Sequence, residues 1–235
     1  MQSQDDFIST VSHELRTPLT SIRGFAQTMI ASWDKIDDEN KKKFLGIIEQ
    51  QSNRLINLVE NILSVSKLPK DACILKNTNV NSAISPMIQI ISQQYSKHNF
   101  IKDFDKSNPT ISVDLEKFQQ VILNLLENAC KYSDEGSNVT IKTTSSDCEV
   151  LISVIDEGVG IGEEFSEKIF EKFSRIDNPL TRKVQGSGLG LYITKALVEK
   201  MNGQISFKSL EKGTEFIVRF PVYNIEEHIK CSITQ

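Results

Sequence analysis

Val154-Ile155-Asp156-Glu157-Gly158-Val159-Gly160-Ile161-Gly162 runs from an apolar strand directly into three alternating glycines. A second triplet, Gly186-Ser187-Gly188-Leu189-Gly190, leads into an apolar helical pattern predicted over 189–202. Six of the 11 glycines fall in these two clusters, and none lies between Gly46 and Gly136. Neither cluster is the G-x-G-x-x-G dinucleotide fingerprint, because Glu163 and Leu191 stand where its third glycine belongs. The phosphate loop G-x-x-x-x-G-K-[ST] is absent as well. A G-x-G repeat alone says only that backbone turns tightly or passes close to something. Turns would explain one triplet. Two of them, one after a strand and one opening a helix, suggest a ligand cradle, with free N–H groups at the helix start suited to phosphate.

Around this stretch the pattern is mixed. Residues 81–96 read as a helix, and short strands follow near Phe100–Phe104 and Ile111–Val113. A strong helix spans Asp114–Tyr132, with Phe118, Val121, Ile122, Leu125, Leu126 and Ala129 on its apolar face. Val139–Thr143 and Val150–Ile155 read as paired strands, and Gln204–Lys208 with Thr214–Pro221 as a last hairpin turning near Lys212-Gly213. Gly203 is expected as the glycine that ends helix 189–202. This mixture predicts an α+β sandwich over 80–223, with helices layered on one sheet face. Residues 69–79 read as a linker and 224–235 as a tail without a pattern.

The first 68 residues are different: all helix. Phe7, Val11, Leu15, Ile22, Ala26 and Met29 repeat at helical spacing through 4–33, with Pro18 in the middle as an expected kink. Asp37 or Asp38 is the candidate N-cap of a second helix, about Glu39 to Lys67. Its seam is Ile48, Gln51, Leu55, Leu58, Ile62 and Val65. Two antiparallel helices cannot enclose these stripes, whereas two hairpins paired as a four-helix bundle can, so residues 1–68 predict a homodimer. A hairpin packed on its own chain is the alternative.

Composition excludes several classes. The chain has 235 residues, 39% hydrophobic and 25% charged, with formal net charge −4. Residues 1–68 carry 8 basic and 9 acidic side chains and the remainder 19 and 22, so neither part offers a nucleic-acid or lipid footprint. No apolar run approaches the ~18 residues of a membrane span. The four cysteines form no C-x-x-C pair, consistent with reduced thiols in a cytosolic compartment.

His13 is the sharpest feature of the first segment. It lies two residues from both Val11 and Leu15, so it faces away from the core stripe, on a face shared with Ser9, Thr17 and Thr20. Thr17 occupies the fifth position of H-E-x-x-H and excludes a zinc-protease site. A neutral imidazole is a nucleophile near pH 7, and the adjacent Glu14 carboxylate can take its ring proton. The string F-I-S-T-V-S-H-E-L-R-T-P-L-T resembles the phosphoacceptor box of sensor histidine kinases. Downstream, N-L-L-E-N-A-C-K-Y-S (124–133), D-E-G-V-G-I (156–161), I-F-E-K-F-S-R (169–175) and G-S-G-L-G-L (186–191) resemble, in order, the boxes of the histidine-kinase ATP-binding domain. That domain belongs to the GHKL superfamily, with the Bergerat-type ATP-binding fold. G-T-E-F at 213–216 matches its last hairpin.

The resemblance implies an ATP-dependent protein-histidine kinase. His13 would accept the γ-phosphoryl of ATP with Glu14 as base, then pass it to an Asp of a response regulator receiver domain. Glu14 and Thr17 would serve regulator dephosphorylation. Asp156 would bind the adenine amino group with Thr214 nearby, and Asn128 would hold Mg²⁺. Asn124 shares the helix face of Asn128. Lys131 and Tyr132 would lie near phosphates and ribose. Gly158, Gly160 and Ile161 would form one side of the pocket, and Gly186, Ser187, Gly188, Leu189, Gly190 and Leu191 the phosphate wrap. Arg175 is the candidate for γ-phosphate charge, at the start of an ATP lid over 174–185; Lys172 just before it, and Arg182 and Lys183 within it, are either phosphate contacts or solvated charges. Superfamily ATPases carry Glu at position 124; Asn124 is a poor base, which favours kinase over ATPase. A dimeric scaffold without activity is the third reading. The expected location is the cytoplasm, or the cytoplasmic portion of a membrane-bound receptor whose sensor lies upstream.

Overall fold

The computed structural model describes residues 4–68, 72–162, 165, 168–174 and 186–222, with side chains from residue 7 onward. The chain divides into two compact units, residues 1–67 and 68–235.

The first unit is a helical hairpin. Helix α1 (Gln4–Ser32) and helix α2 (Asp38–Lys67) are joined by a 3₁₀ turn at Trp33–Lys35. Asp37 is the N-cap: its Oδ1 accepts the Asn40 N–H at 2.8 Å, which settles the choice between Asp37 and Asp38. Hydrogen bonds from Asn40 also hold the Asp37 carboxyl below its ordinary value. The seam follows the sequence pattern, with Met29, Leu58 and Val65 buried and the Phe25 and Phe44 rings 5.1 Å apart. Pro18 lies inside α1 and is buried.

The second unit begins with strand β1 (Lys76–Asn79), in the stretch assigned by sequence to a linker. Its residues Lys-Asn-Thr-Asn have no apolar alternation, so periodicity missed it. It pairs antiparallel with β3 (Thr110–Val113) as a two-stranded sheet. Between them lie α3 (Val80–Gln94), capped by the Asn79 side chain, and β2 (Asn99–Asp103). Asp114 caps α4 (Leu115–Lys131). Strands β4 (Asn138–Ser145) and β5 (Glu149–Asp156), helix α5 (Gly190–Lys200), and strands β6 (Gln204–Ser209) and β7 (Thr214–Pro221) complete the unit.

The main sheet has the order β2-β4-β5-β7-β6. All its pairs are antiparallel except β2 with β4, which the crossover through β3 and α4 makes parallel. One face alternates into the core: Val139, Ile141 and Thr143 of β4, Val150, Ile152 and Val154 of β5, Phe216, Val218 and Phe220 of β7. Phe118, Val121, Ile122, Leu125 and Leu126 of α4 are fully buried as well, and the Phe118 and Phe220 rings meet at 5.9 Å. Each such side chain contributes about 1.5–3 kcal/mol of burial. The unit is an α+β sandwich, as the sequence predicts.

One cap differs. The left-handed residue after α5 is Asn202, with φ 59, while Gly203 takes no positive φ. Gly203 is glycine for another reason: a Cβ there would come within 2.7 Å of the Phe220 ring.

Candidate functional site

Alternation along β5 carries Asp156 onto the same inward face as Val150, Ile152 and Val154, so the strand's apolar row ends in a carboxylate only 5% exposed. Its Oδ1 accepts the Gly158 N–H at 2.8 Å and the Thr214 N–H at 3.2 Å. Burial pushes the Asp156 pKa up, and these two N–H bonds only partly offset it. Among the described residues Oδ2 has no hydrogen-bond donor, so it is left for an outside one. Thr214 is itself buried, at the start of β7.

The glycine loop after β5 is fastened to the end of α4. Tyr132 N–H closes that helix on Asn128 O at 3.0 Å, and the Tyr132 carbonyl then accepts the Val159 N–H at 3.2 Å. Gly158 lies so close that a Cβ would collide with the same carbonyl. Gly160 turns the loop with φ 71. The second cluster rests on the segment around 170: Gly188, at φ 67, leaves 2.7 Å between a would-be Cβ and Phe173 backbone. Phe170 and Ile169 of that segment are buried.

Beside the first glycine loop is a pocket of about 90 Å³. Asn128 comes to it from α4 and Tyr132 from that helix's C-cap, Asp156 from the end of β5, and Gly160 and Ile161 from the first glycine loop. Leu191 of α5 and Thr214 of β7 close it. Thus seven of the residues expected from the sequence share one cavity. Val159, Ile169, Ser174 and Phe216 line it too and were not anticipated as site residues. Phe216 was findable, since alternation puts it on the face of Thr214, two residues earlier.

Other expected residues sit beside the pocket. Asn124 donates through Nδ2 to Thr194 Oγ1 at 2.7 Å, and Gly190 is glycine against it, a Cβ falling 2.6 Å from its Oδ1. Asn124 therefore braces α4 on α5. Leu189 is wholly buried, and its backbone N–H donates to Ser187 Oγ at 3.3 Å. A Cβ at Gly186 would fall 4.0 Å from the Tyr132 hydroxyl. Lys131 pairs with Glu127 at 2.6 Å, and the Lys172 ammonium lies 5.1 Å from the Tyr192 ring centre. Arg175, Arg182 and Lys183, with the tail from 223, lie outside the described residues.

In the hairpin, His13 and Thr17 are exposed on α1, as are Ser9 and Thr20. Thr17 Oγ1 donates to the His13 carbonyl at 3.4 Å. Glu14 turns instead to α2, its Oε2 accepting Arg54 Nη2 at 3.2 Å.

A magnesium ion takes oxygen ligands and keeps several waters. Among the described residues no three His, Cys, Asp or Glu side chains cluster to hold a metal. Asn128 lines the pocket and carries an amide oxygen. A hard cation that draws its other ligands from phosphates and water fits this donor set; a protein-caged metal does not.

Two family models match the chain: the His Kinase A (phospho-acceptor) domain over residues 3–70, and the histidine kinase-, DNA gyrase B- and HSP90-like ATPase over 113–224. The chain belongs to the histidine kinases and carries their catalytic core, the phosphoacceptor module in its hairpin and the ATPase-type module in its sheet unit. Sensor protein SrrB of Staphylococcus aureus is 32% identical over 229 residues, which is 94% of this chain and 38% of SrrB. The chain therefore spans well under half the length of that relative. Histidine kinase ThkA, solved in complex with the response regulator protein TrrA, superposes with TM-score 0.77 at 27% identity, covering 92% of this chain and 61% of that one. Full-length ShkA in complex with AMPPNP gives 0.65 at 27% identity, covering 92% and 46%. Histidine kinase AdeS of Acinetobacter baumannii shares the fold, with TM-score 0.70 at 23% identity over 90% of this chain and 98% of that one. Among the described residues no helix is long and apolar enough to cross a membrane.

Proposed function

We propose that this chain autophosphorylates on His13 with ATP and passes the phosphoryl group to an aspartate of a response regulator. The observation that carries the reading is one pocket joining Asp156, Thr214, Asn128 and Tyr132, in a chain that also bears an exposed histidine followed by a carboxylate. Asp156 Oδ2 is suited to accept the adenine amino group. Magnesium, when bound through Asn128, would neutralise phosphate charge. Gly186–Leu191 would offer backbone N–H groups to the phosphates. His13 Nε2 would attack the γ-phosphorus, forming an N–P bond as the bond to the β–γ bridging oxygen breaks and ADP leaves. Glu14 would hold the Nδ1 proton meanwhile. The regulator carboxylate then takes the group, regenerating imidazole. ThkA's complex with a regulator and ShkA's with AMPPNP support the same partner and nucleotide class here.

Kinase is favoured over ATPase because Asn124 is no base and is engaged by Thr194. The dimer through residues 1–68 is supported by a second apolar stripe on α2, Ile56, Val59 and Leu63, left 44–55% exposed by the hairpin. Regulator dephosphorylation through Glu14 and Thr17, and a place in the cytoplasmic part of a longer sensor, complete the reading. The test is incubation with γ-labelled ATP and Mg²⁺. Acid-labile, alkali-stable label is expected on the chain and not on His13→Gln. Free phosphate without protein label would replace this reading with an ATPase, and neither product with a scaffold.

A further inference from the structure

The hairpin contains one ion pair between its helices among the described residues, and it involves the residue next to His13. Arg54 of α2 reaches across to Glu14 of α1, Nη2 to Oε2, at 3.2 Å. Both side chains are about three-quarters buried, exposed 24% and 25%. The contact uses one carboxylate oxygen. Oε1 has no hydrogen-bond donor among the described residues. A single-contact, partly exposed pair of this kind contributes modestly to stability. Its position suggests a different role: a carboxylate that serves an imidazole must be held in one orientation, which requires a third group.

We infer that Arg54 is a positioning residue for Glu14, anchoring Oε2 on α2 so that Oε1 is presented to the imidazole N–H of His13. The inference rests on the proposed roles of His13 and Glu14. It extends them across the hairpin: the base belongs to α1, while its orientation is set from α2. Any signal that slides or rotates α2 against α1 would then act on the base through this one contact. Arginine suits the task because its planar fork loses little freedom on pairing, whereas a lysine ammonium holds charge with less direction.

The experiment measures initial rates of His13 labelling in the full chain, with ATP varied, for wild type, Arg54→Met, Arg54→Lys, Glu14→Gln and the Glu14→Gln/Arg54→Met double variant. Arg54→Met is expected to lower kcat about tenfold with KM for ATP unchanged, and Arg54→Lys to recover part of it. In the Glu14→Gln background Arg54→Met should cost almost nothing further, because the group it orients is gone. Circular dichroism and light scattering on each variant report whether helix content and assembly persist. Normal labelling by Arg54→Met overturns the inference and leaves His13 as acceptor. So does a loss that multiplies fully with Glu14→Gln, or one that tracks loss of helix content. Absence of label on wild type would instead remove the underlying function.

Discussion

Asp156 concentrates the conflict between stability and binding. It is a carboxylate at the end of an apolar row, with its pKa raised by burial beyond what its two N–H bonds recover. For an acid raised in the fold, the associated stability is full below the unfolded value near ~3.9. It is lost as pH climbs through the raised value. At neutral pH the ionised group thus weakens the empty fold. Asp156→Asn keeps an oxygen for the Gly158 and Thr214 N–H groups and removes the charge. It is expected to raise the nucleotide-free Tm by about 2–4 °C for each kcal/mol recovered, read by scanning fluorimetry. Nucleotide affinity should fall about 10- to 100-fold, read by calorimetry. On acidification, wild-type affinity should decline at a higher pH than an ordinary aspartate allows, and the variant's should not follow.

At the scale of elements, Asp114 ties α4 to the chain entering the unit. Its Oδ1 caps Lys117 N–H at 3.3 Å, while Oδ2 accepts the Ile74 N–H at 3.1 Å and the Lys117 ammonium at 3.0 Å. Lys117 also donates to the Ala72 carbonyl at 3.3 Å. Burial alone pushes the Asp114 pKa up, but the hydrogen bonds from Lys117 and Ile74, with the Lys117 charge, together bring it below its ordinary value. A depressed carboxyl stabilises above the unfolded value, and the contribution disappears as pH falls below ~4. Asp114→Ala should cost about 1–2 kcal/mol in urea unfolding at pH 7. Asp114→Asn, which keeps the cap, should cost less. The difference between aspartate and alanine should shrink at pH 3.

At the scale of the molecule, the hairpin cannot bury what it carries. Ile56, Val59 and Leu63 recur at spacings of three and four along α2, and Ile8 and Leu19 of α1 are 54% and 58% exposed. The sandwich unit, by contrast, closes its own core, with Phe118, Leu125 and Phe220 sealed from solvent. Leu63→Glu is therefore expected to convert a dimer into monomers by light scattering, while nucleotide binding by the second unit persists. A dimer of unchanged affinity would place the partner surface elsewhere.

Much of this was legible in the residues because it is local. Helical spacing located α2 and α4 to within about a turn, alternation located β4, β5 and β7, and the exclusion of two phosphate-loop patterns left the glycine clusters as a distinct cradle. Strand β1 was not legible, since Lys-Asn-Thr-Asn owes its conformation to pairing with β3. The left-handed cap is Asn202, and Gly203 is glycine because Phe220, distant in sequence, occupies the space of a Cβ. Asn124 and Asn128 share a helix face, yet one meets Thr194 and the other the pocket. The pairing of Glu14 with Arg54 joins residues 40 apart in sequence. The sequence by itself determined most of the elements and the residue types that each segment brings, because periodicity and residue type are properties of short windows. Only the tertiary structure decided which oxygen of Asp156 is free, which asparagine faces the pocket and which arginine holds Glu14, because each depends on contacts between distant segments.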